Sequence, residues 1–315
     1  MPIASPLDLA SGLGKRSPTA GGHFVFMLDG SPVPGYVRSV EGGTLVGEVI
    51  DETVGPDFAT FKHLGTLSVE PLTLELGMSM SRPVFEWIQA SWRREFTRKN
   101  GAVVHADARY RAQLEQSFID ALIAETTFPT LDGSSTDPAY LTVKLQAESV
   151  DLERAGEESV SGVISRRQKQ WSPSNFRLHL DGIDTTHVAK IDSFSVKQKL
   201  KELRVGPARL PELEPTNLEF DNLTVYTTLN HADDFIAWYE DAVVKGDKET
   251  RQERTGAIEF VSPDGVDTLF TVTLKNVGIY GLSIDKSEAG SEQVKRCKVN
   301  LYVEAMDLEY GDGID

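Results

Sequence analysis

Six histidines, at positions 23, 63, 105, 179, 187 and 231, and one cysteine, Cys297, are the side chains here best suited to hold a metal or attack a substrate. None of the histidines stands in a ligand spacing such as H-E-x-x-H. His105-Ala106-Asp107 and His231-Ala232-Asp233-Asp234 each set an imidazole beside carboxylates and offer two metal ligands apiece. The first is expected at a strand end and the second at a helix start, where carboxylates offset the helix dipole. Cys297 falls in an apparent strand, Val294 to Ala305, and reads as a small core residue; a lone cysteine excludes a disulfide framework and a cysteine-based metal site. No G-x-S-x-G elbow, P-loop or G-x-G-x-x-G occurs. Gly42-Gly43-Thr44-Leu45-Val46-Gly47 is rich in glycine but leads into a strand-like run, which points to a turn or bulge. Paired acid and base roles need two carboxyls converging on one cleft, and the many carboxylates are dispersed. The residues nominate no catalytic, cofactor-binding or metal-ligating position and no cofactor, and they point away from an enzyme.

The elements that would position any site recur. The chain carries similar segments twice, at an offset of about 150 residues. Phe24 to Gly30 reads FVFMLDG and Phe176 to Gly182 reads FRLHLDG. Leu67-Ser-Val-Glu-Pro-Leu-Thr-Leu lies over Leu218-Glu-Phe-Asp-Asn-Leu-Thr-Val, Phe85-Glu-Trp87 over Ile236-Ala-Trp238, and Asp151-Leu152-Glu153 over Asp307-Leu308-Glu309. The expected organisation is an N-terminal arm over residues 1–22, a domain over 23–155, a linker over 156–174 and a second domain over 175–315.

Within the first copy, alternation predicts strands at His23 to Leu28, near Tyr36 to Val40 and at Leu45 to Ile50, with turns at Asp29-Gly30 and Gly42-Gly43. From Leu72 to Met80 every even position is apolar, which means a half-buried strand; Leu223, Val225 and Leu229 repeat it. The period then changes. Phe85, Ile88, Trp92 and Phe96 mark a helix face capped by Ser81 with Pro83 in the first turn, and Phe235, Trp238 and Ala242 mark its counterpart after Asn230. Trp87 and Trp238 are expected to pack helix onto sheet.

Gly101 to His105 and Gly256 to Val261 read as strands, the latter returning through Pro263-Asp264-Gly265 along Thr268 to Val277. Leu114 to Phe128 has a helix-favouring composition, but aligning Phe118 with Phe270 and Phe128 with Tyr280 favours a strand. Single strands are expected at Val188 to Gln198, Leu141 to Leu152 and Lys298 to Leu308. Arg166, Arg167 and Lys169 give the linker a solvated character, with Trp171 pinning its end.

At 315 residues the chain has room for two cores, and 40% hydrophobic content excludes wholesale disorder. A net charge of −16 argues against tight binding to nucleic-acid phosphates, which takes clustered Lys and Arg. No basic segment followed by an apolar run opens the sequence, and no stretch approaches the roughly 18 apolar residues of a membrane span, so synthesis in the cytoplasm without a signal peptide is expected.

A mainly β (α+β) domain with an early L-D-G turn, a strongly alternating strand, a short helix of the Phe85-Glu-Trp87-Ile88 type, a hairpin and a closing strand resembles the inner-tube protein of contractile phage tails and of phage-tail-like injection systems. The resemblance covers Phe24 to Glu153 and Phe176 to Glu309 as two tandem antiparallel barrel or sandwich domains, each with one short packing helix. It implies self-assembly into rings whose sheets join around a lumen, stacked through a hairpin and its neighbouring loops. By position the stacking regions would be Val40 to Phe61 and Val196 to Asn217, although Pro207, Pro211 and Pro215 speak against a regular hairpin in the second.

The doubled chain departs from the single-domain subunit. A trimer with pseudo-sixfold symmetry is expected, and a hexamer is the competing assembly. The implied role is a structural subunit of the tube or its baseplate-proximal hub, with other tube, sheath or baseplate proteins as partners and DNA or effector cargo passing without tight binding. The alternative is a carbohydrate- or protein-binding β module of a phage-like particle.

Overall fold

Apolar and polar side chains alternate wherever a strand buries one face, and the second half of the chain does this in the order of the first. The computed structural model describes residues 22–54, 59–77, 82–156, 158–161, 171–204, 206, 208–246, 253–284 and 295–311. In the first half, β1 (His23–Leu28), β2 (Ser31–Pro32), β3 (Val37–Gly42), β4 (Leu45–Val54), β5 (Ala59–Val69) and β6 (Leu72–Gly77) precede helix α1 (Arg82–Trp92). After it come β7 (Lys99–Ala106), β8 (Ala112–Phe128), β9 (Leu131–Asp132), β10 (Tyr140–Gln146) and β11 (Ser149–Arg154).

In the second half, β12 (Phe176–Leu180), β13 (Val188–Ile191), β14 (Phe194–Leu203), β15 (Glu212–Phe220) and β16 (Leu223–Thr228) precede α2 (Asp233–Tyr239), which runs on as a π-helical turn over Glu240–Val244. Strands β17 (Arg254–Val261), β18 (Thr268–Ile284) and β19 (Arg296–Tyr310) follow. The fold is mainly β, as the alternation predicts.

The two halves share register as well as order. Val40 lies opposite Leu74 in the β3–β6 ladder and Ile191 opposite Val225 in the β13–β16 ladder, each beside a bulge, at Val37/Ser39 and Val188/Lys190. The β4–β5 and β14–β15 hairpins correspond in the same way: Leu45 faces Val69, Val196 faces Phe220, and a bulge follows Gly47 and Gln198. Each L-D-G turn closes alike, with Asp29 N–H donating to Asn100 O at 2.8 Å and Asp181 N–H to Thr255 O at 3.0 Å.

Strands β8 and β18 each kink at a residue of positive φ, Asp120 (51°) and Asn276 (52°), short polar side chains that tolerate the left-handed region. Gly101 faces Phe118, and Gly256 faces Leu274. The counterpart of Phe118 is therefore Leu274, and that of Phe128 is Ile284; the alignments with Phe270 and Tyr280 are corrected. The second half carries extra residues between α2 and β17, which shifts everything beyond them. Region 114–128 is nonetheless a strand: its helix-favouring composition yields to ladders on both sides.

Other boundaries move for local reasons. Leu141 to Leu152 divides into β10 and β11 around Ala147 and Glu148, and Val188 to Gln198 divides into β13 and β14 around Asp192 and Ser193. Leu229 opens a 3-10 turn, Leu229–His231, where a continuing strand was expected. Phe96 lies beyond α1 with φ 49°, so it is not on the helix face. β14 and β15 pair despite Pro215, which lies opposite Leu200 beside the bulge, where the ladder is already interrupted. Ser81, Met78, Met80, Pro207 and the basic run Arg166 to Lys169 lie outside the described residues.

Ten strands form one sheet, β2-β1-β7-β8-β10-β6-β3 with β11, β14 and β15 attached, and seven form a second, β12-β17-β18-β19-β16-β13-β9. The sheets exchange strands across the midpoint of the chain. β14 adds to the end of β8, with Phe194 opposite Phe128, while β9 adds to β13, with Leu131 opposite Ile191. One apolar cluster consequently includes residues of both halves. At its centre Phe128 stacks on Phe194 (ring centroids 4.8 Å apart) and meets Phe260 at 5.4 Å, Trp92 at 6.0 Å and Phe270 at 6.1 Å. Trp171 pins the incoming chain as expected, buried against Phe260 with its indole N–H donating to Val261 O at 3.1 Å.

Replacing Phe128 by Ala should cost about 3–5 kcal/mol and lower the denaturant midpoint of a single transition recorded by probes in either half, since the ring touches both. A methyl at Gly101 would sit 2.2 Å from Met27 O and one at Gly256 would sit 2.5 Å from His179 O. Gly101→Ala and Gly256→Ala are each expected to cost about 1–3 kcal/mol by forcing the neighbouring strand outward, read by the same unfolding curves.

Candidate functional site

The residues with metal-binding chemistry are placed in structural duties. Asp107 Oδ1 accepts the backbone N–H groups of Arg109 (2.8 Å) and Arg111 (2.9 Å), closing the β7–β8 turn, and these bonds, that from Arg111 foremost, hold its carboxyl below the usual range. His105 Nε2 lies 3.4 Å from Gln116 Oε1. His231 stacks on His187 with ring centroids 3.5 Å apart, and Asp234 Oδ2 accepts the N–H of Asp184 at 2.9 Å. Among the described residues no group of three or more His, Cys, Asp and Glu is placed to hold a metal. The Cys297 thiol is buried in β19, and burial pushes its pKa up.

The glycine-rich run is a turn. Gly42 and Gly43 take φ 74° and 69°, and their carbonyl oxygens both accept the side-chain amide of Gln116, at 2.7 and 2.5 Å. Trp87 and Trp238 are both buried; the Trp87 indole donates to Thr97 O at 2.8 Å, and the Arg254 guanidinium lies 4.8 Å from the Trp238 ring centroid. No helix among the described residues is long and apolar enough to cross a membrane.

The surfaces with clear functional geometry are those that join one half of the chain to the other. Strand β8 is paired along both sides: β10 and β11 run along one edge, β7 covers the first part of the other, and β14 covers its end. At that end Thr127 Oγ1 and Ser195 Oγ are 3.0 Å apart, Ser193 Oγ–H donates to Phe128 O at 2.8 Å, and Lys197 Nζ lies 3.9 Å from Glu125 and 3.3 Å from Asp221.

Helix α1 completes the junction by packing on β19 of the other half. Arg93 grips Asp307 with two parallel bonds of 3.0 Å, which raise the guanidinium pKa further; Gln89 donates to Leu308 O; and Phe85 meets Phe270 at 5.0 Å and Tyr310 at 5.5 Å. The Arg93 ion pair is part-exposed and contributes on the order of 0.2–1 kcal/mol, so the apolar contacts dominate.

Two surfaces have no such cover among the described residues. The β4–β5 hairpin forms a sheet of its own and exposes Val49, Phe61 and Leu64. A cleft of about 380 Å³, lined by residues that include Leu229, Ile236, Tyr239, Leu282, Ile284 and Cys297, lies beside the end of β18. Sequence reasoning missed this cleft, because its walls come from the 3-10 turn, α2, β18 and β19, which only the fold brings together.

Residues 23–151 match the family model described as T4-like virus tail tube protein gp19. No curated protein matches the chain. Among solved structures, a chain of the anti-feeding prophage baseplate is 16% identical, with 46% of this chain and 97% of that one covered at a TM-score of 0.38. A chain of the sheath–tube complex of the PVC extracellular contractile injection system in its extended state is 20% identical, with 49% and 100% covered at 0.37. Hcp1 from Flavobacterium johnsoniae is 11% identical, with 42% and 93% covered at 0.27.

Proposed function

We propose that the protein is a structural subunit of a contractile tail or phage-tail-like injection apparatus, forming a ring of the inner tube or of its baseplate-proximal hub. The ring serves as a conduit for DNA or an effector. The observation that carries this reading is the tail tube match over residues 23–151 together with a second half that repeats the strand register of the first. One chain then supplies two tube-type domains, residues 23–155 and 175–315, joined by 156–174.

Three chains make a pseudo-sixfold ring in this reading, and closure is favoured physically because it leaves no open sheet edge. A six-chain ring, with one domain outside or in a second layer, is the competing arrangement. The net charge of −16 supports a wall that lets polyanionic cargo pass without holding it. The apolar β4–β5 hairpin is suited to contact the next ring, since burying its exposed Val49, Phe61 and Leu64 is favourable at roughly 25 cal/mol per Å².

Electron microscopy of the purified protein with mass determination tests the reading. Rings or tubes with a central hole and a three-chain mass are expected; a monomer that stays dispersed when tail components are added would overturn it. Phe61→Glu with Leu64→Glu should leave rings intact but shorten or abolish stacked tubes, measured as the tube-length distribution in the same images.

A further inference from the structure

The junction inside the chain has an unpaired counterpart at each outer end, and the register between the halves says which residues these are. Inside, β14 of the second half covers the end of β8: Phe194 faces Phe128, Ser195 faces Thr127, Val196 faces Thr126 and Lys197 faces Glu125. In the first half the counterpart of that β14 segment is Gly43 to Val46, since Leu45 faces Val69 as Val196 faces Phe220. In the second half the counterpart of the end of β8 is Gly281 to Ile284, since Leu145 and Lys144 meet Ile123 and Glu125 across a bulge just as Leu301 and Asn300 meet Ile279 and Gly281. β17 covers β18 only as far as Val277, and β4 pairs with β5 alone among the described residues. Among the described residues both edges are free from Thr44 onward; Gly43 is already engaged, its N–H donating to Pro71 O and its carbonyl accepting the Gln116 amide.

Burial singles out the same residues. Phe128 is 0% exposed and Ile284 63%; Val196 is 2% and Leu45 46%. On the helix side of the junction, Leu308 under α1 is 1% exposed and its counterpart Leu152 is 51%; Trp92 is 5% and Val243, its counterpart in the register of Trp87 and Trp238, is 41%. Four apolar side chains that face water at the ends of the molecule thus correspond to four that the internal junction buries. The cleft walled by Leu282, Ile284, Cys297, Leu229 and Ile236 lies where β14 would pass if the second half were covered as the first is.

We infer that the end of β18 takes the start of β4 from a second copy of this chain. Thr44, Leu45 and Val46 pair antiparallel with Ser283, Leu282 and Gly281 in that order, and Leu45 fills the cleft. The contact is head to tail, each chain offering β4 and β11 at one end and β18 with the π-helical turn at the other, so its repetition closes a ring or continues as a filament. The inference rests on the ring reading above for its biological setting, while the pairing is drawn from the internal junction. Lys197, Glu125 and Asp221 at the internal junction have Val46, Gly281 and Glu70 as counterparts, so the Lys197–Glu125 ion pair gives way to uncharged residues between chains.

The test is a disulfide in the full chain, Thr44→Cys with Ser283→Cys, because the counterparts Ser195 and Thr127 bring their side-chain oxygens to 3.0 Å. Oxidised after assembly, the double variant should give chain-to-chain cross-links on a non-reducing gel, which neither single variant gives. Ser195→Cys with Thr127→Cys should cross-link only within a chain. Rings in the microscope without interchain cross-links would overturn the pairing while leaving the ring reading standing; cross-linked filaments without rings would support the pairing and count against the ring. A dispersed protein with no cross-link overturns both. Leu45→Arg, at a site exposed in the single chain, should keep the circular-dichroism spectrum and weaken association roughly tenfold or more; unchanged association would overturn the inference.

Discussion

Strand β8 has more backbone donors and acceptors than the first half of the chain can satisfy, and the structure is organised around meeting that demand. Its seventeen residues run past the end of β7, so the last turn of the ladder would be left open in an apolar setting. β14 from the second half fills the gap, and the aromatic stack of Phe128 on Phe194 seals it. Around this stack gather Phe260, Phe270 and Trp92, α1 lies across β19, and Trp171 packs against Phe260.

The same demand in the second half is not met by the described residues. β18 is as long as β8, β17 ends as β7 does, and among the described residues no strand covers Gly281 to Ile284. Among the described residues there is thus one covered junction and one pair of uncovered edges, the geometry from which the proposed pairing is argued. The proposed conduit role and the residue-level pairing are separate claims on that geometry. The first draws on the tail tube family match over residues 23–151, the second on the exposed apolar residues at the free edges.

The sequence reading located most elements because local chemistry settles them. Period-two alternation placed β1, β6 and β12, the change of period placed both helices, and Asp-Gly pairs placed the turns after β1 and β12. Where it slipped, the missing information was not local. Aligning Phe118 with Phe270 overlooks the extra residues before β17, whereas the kinks at Asp120 and Asn276 fix Leu274 as its counterpart. Pro215 looked like a break in a hairpin, yet it sits beside a bulge whose position depends on the partner strand. The histidine and aspartate pairs offered metal chemistry in one dimension, and the fold spends them on turn closure and stacking.

By itself the sequence determined a mainly β chain with two similar halves, one helix in each, an acidic surface and a resemblance to tail tubes, since periodicity, turn residues and charge are properties of neighbouring residues. Only the tertiary structure decided that β14 completes β8, that α1 packs on the opposite half, and that the outer edges expose Leu45 and Ile284. Strand pairing joins residues far apart in the chain, and which edge is satisfied and which is left open depends on where every other strand has gone.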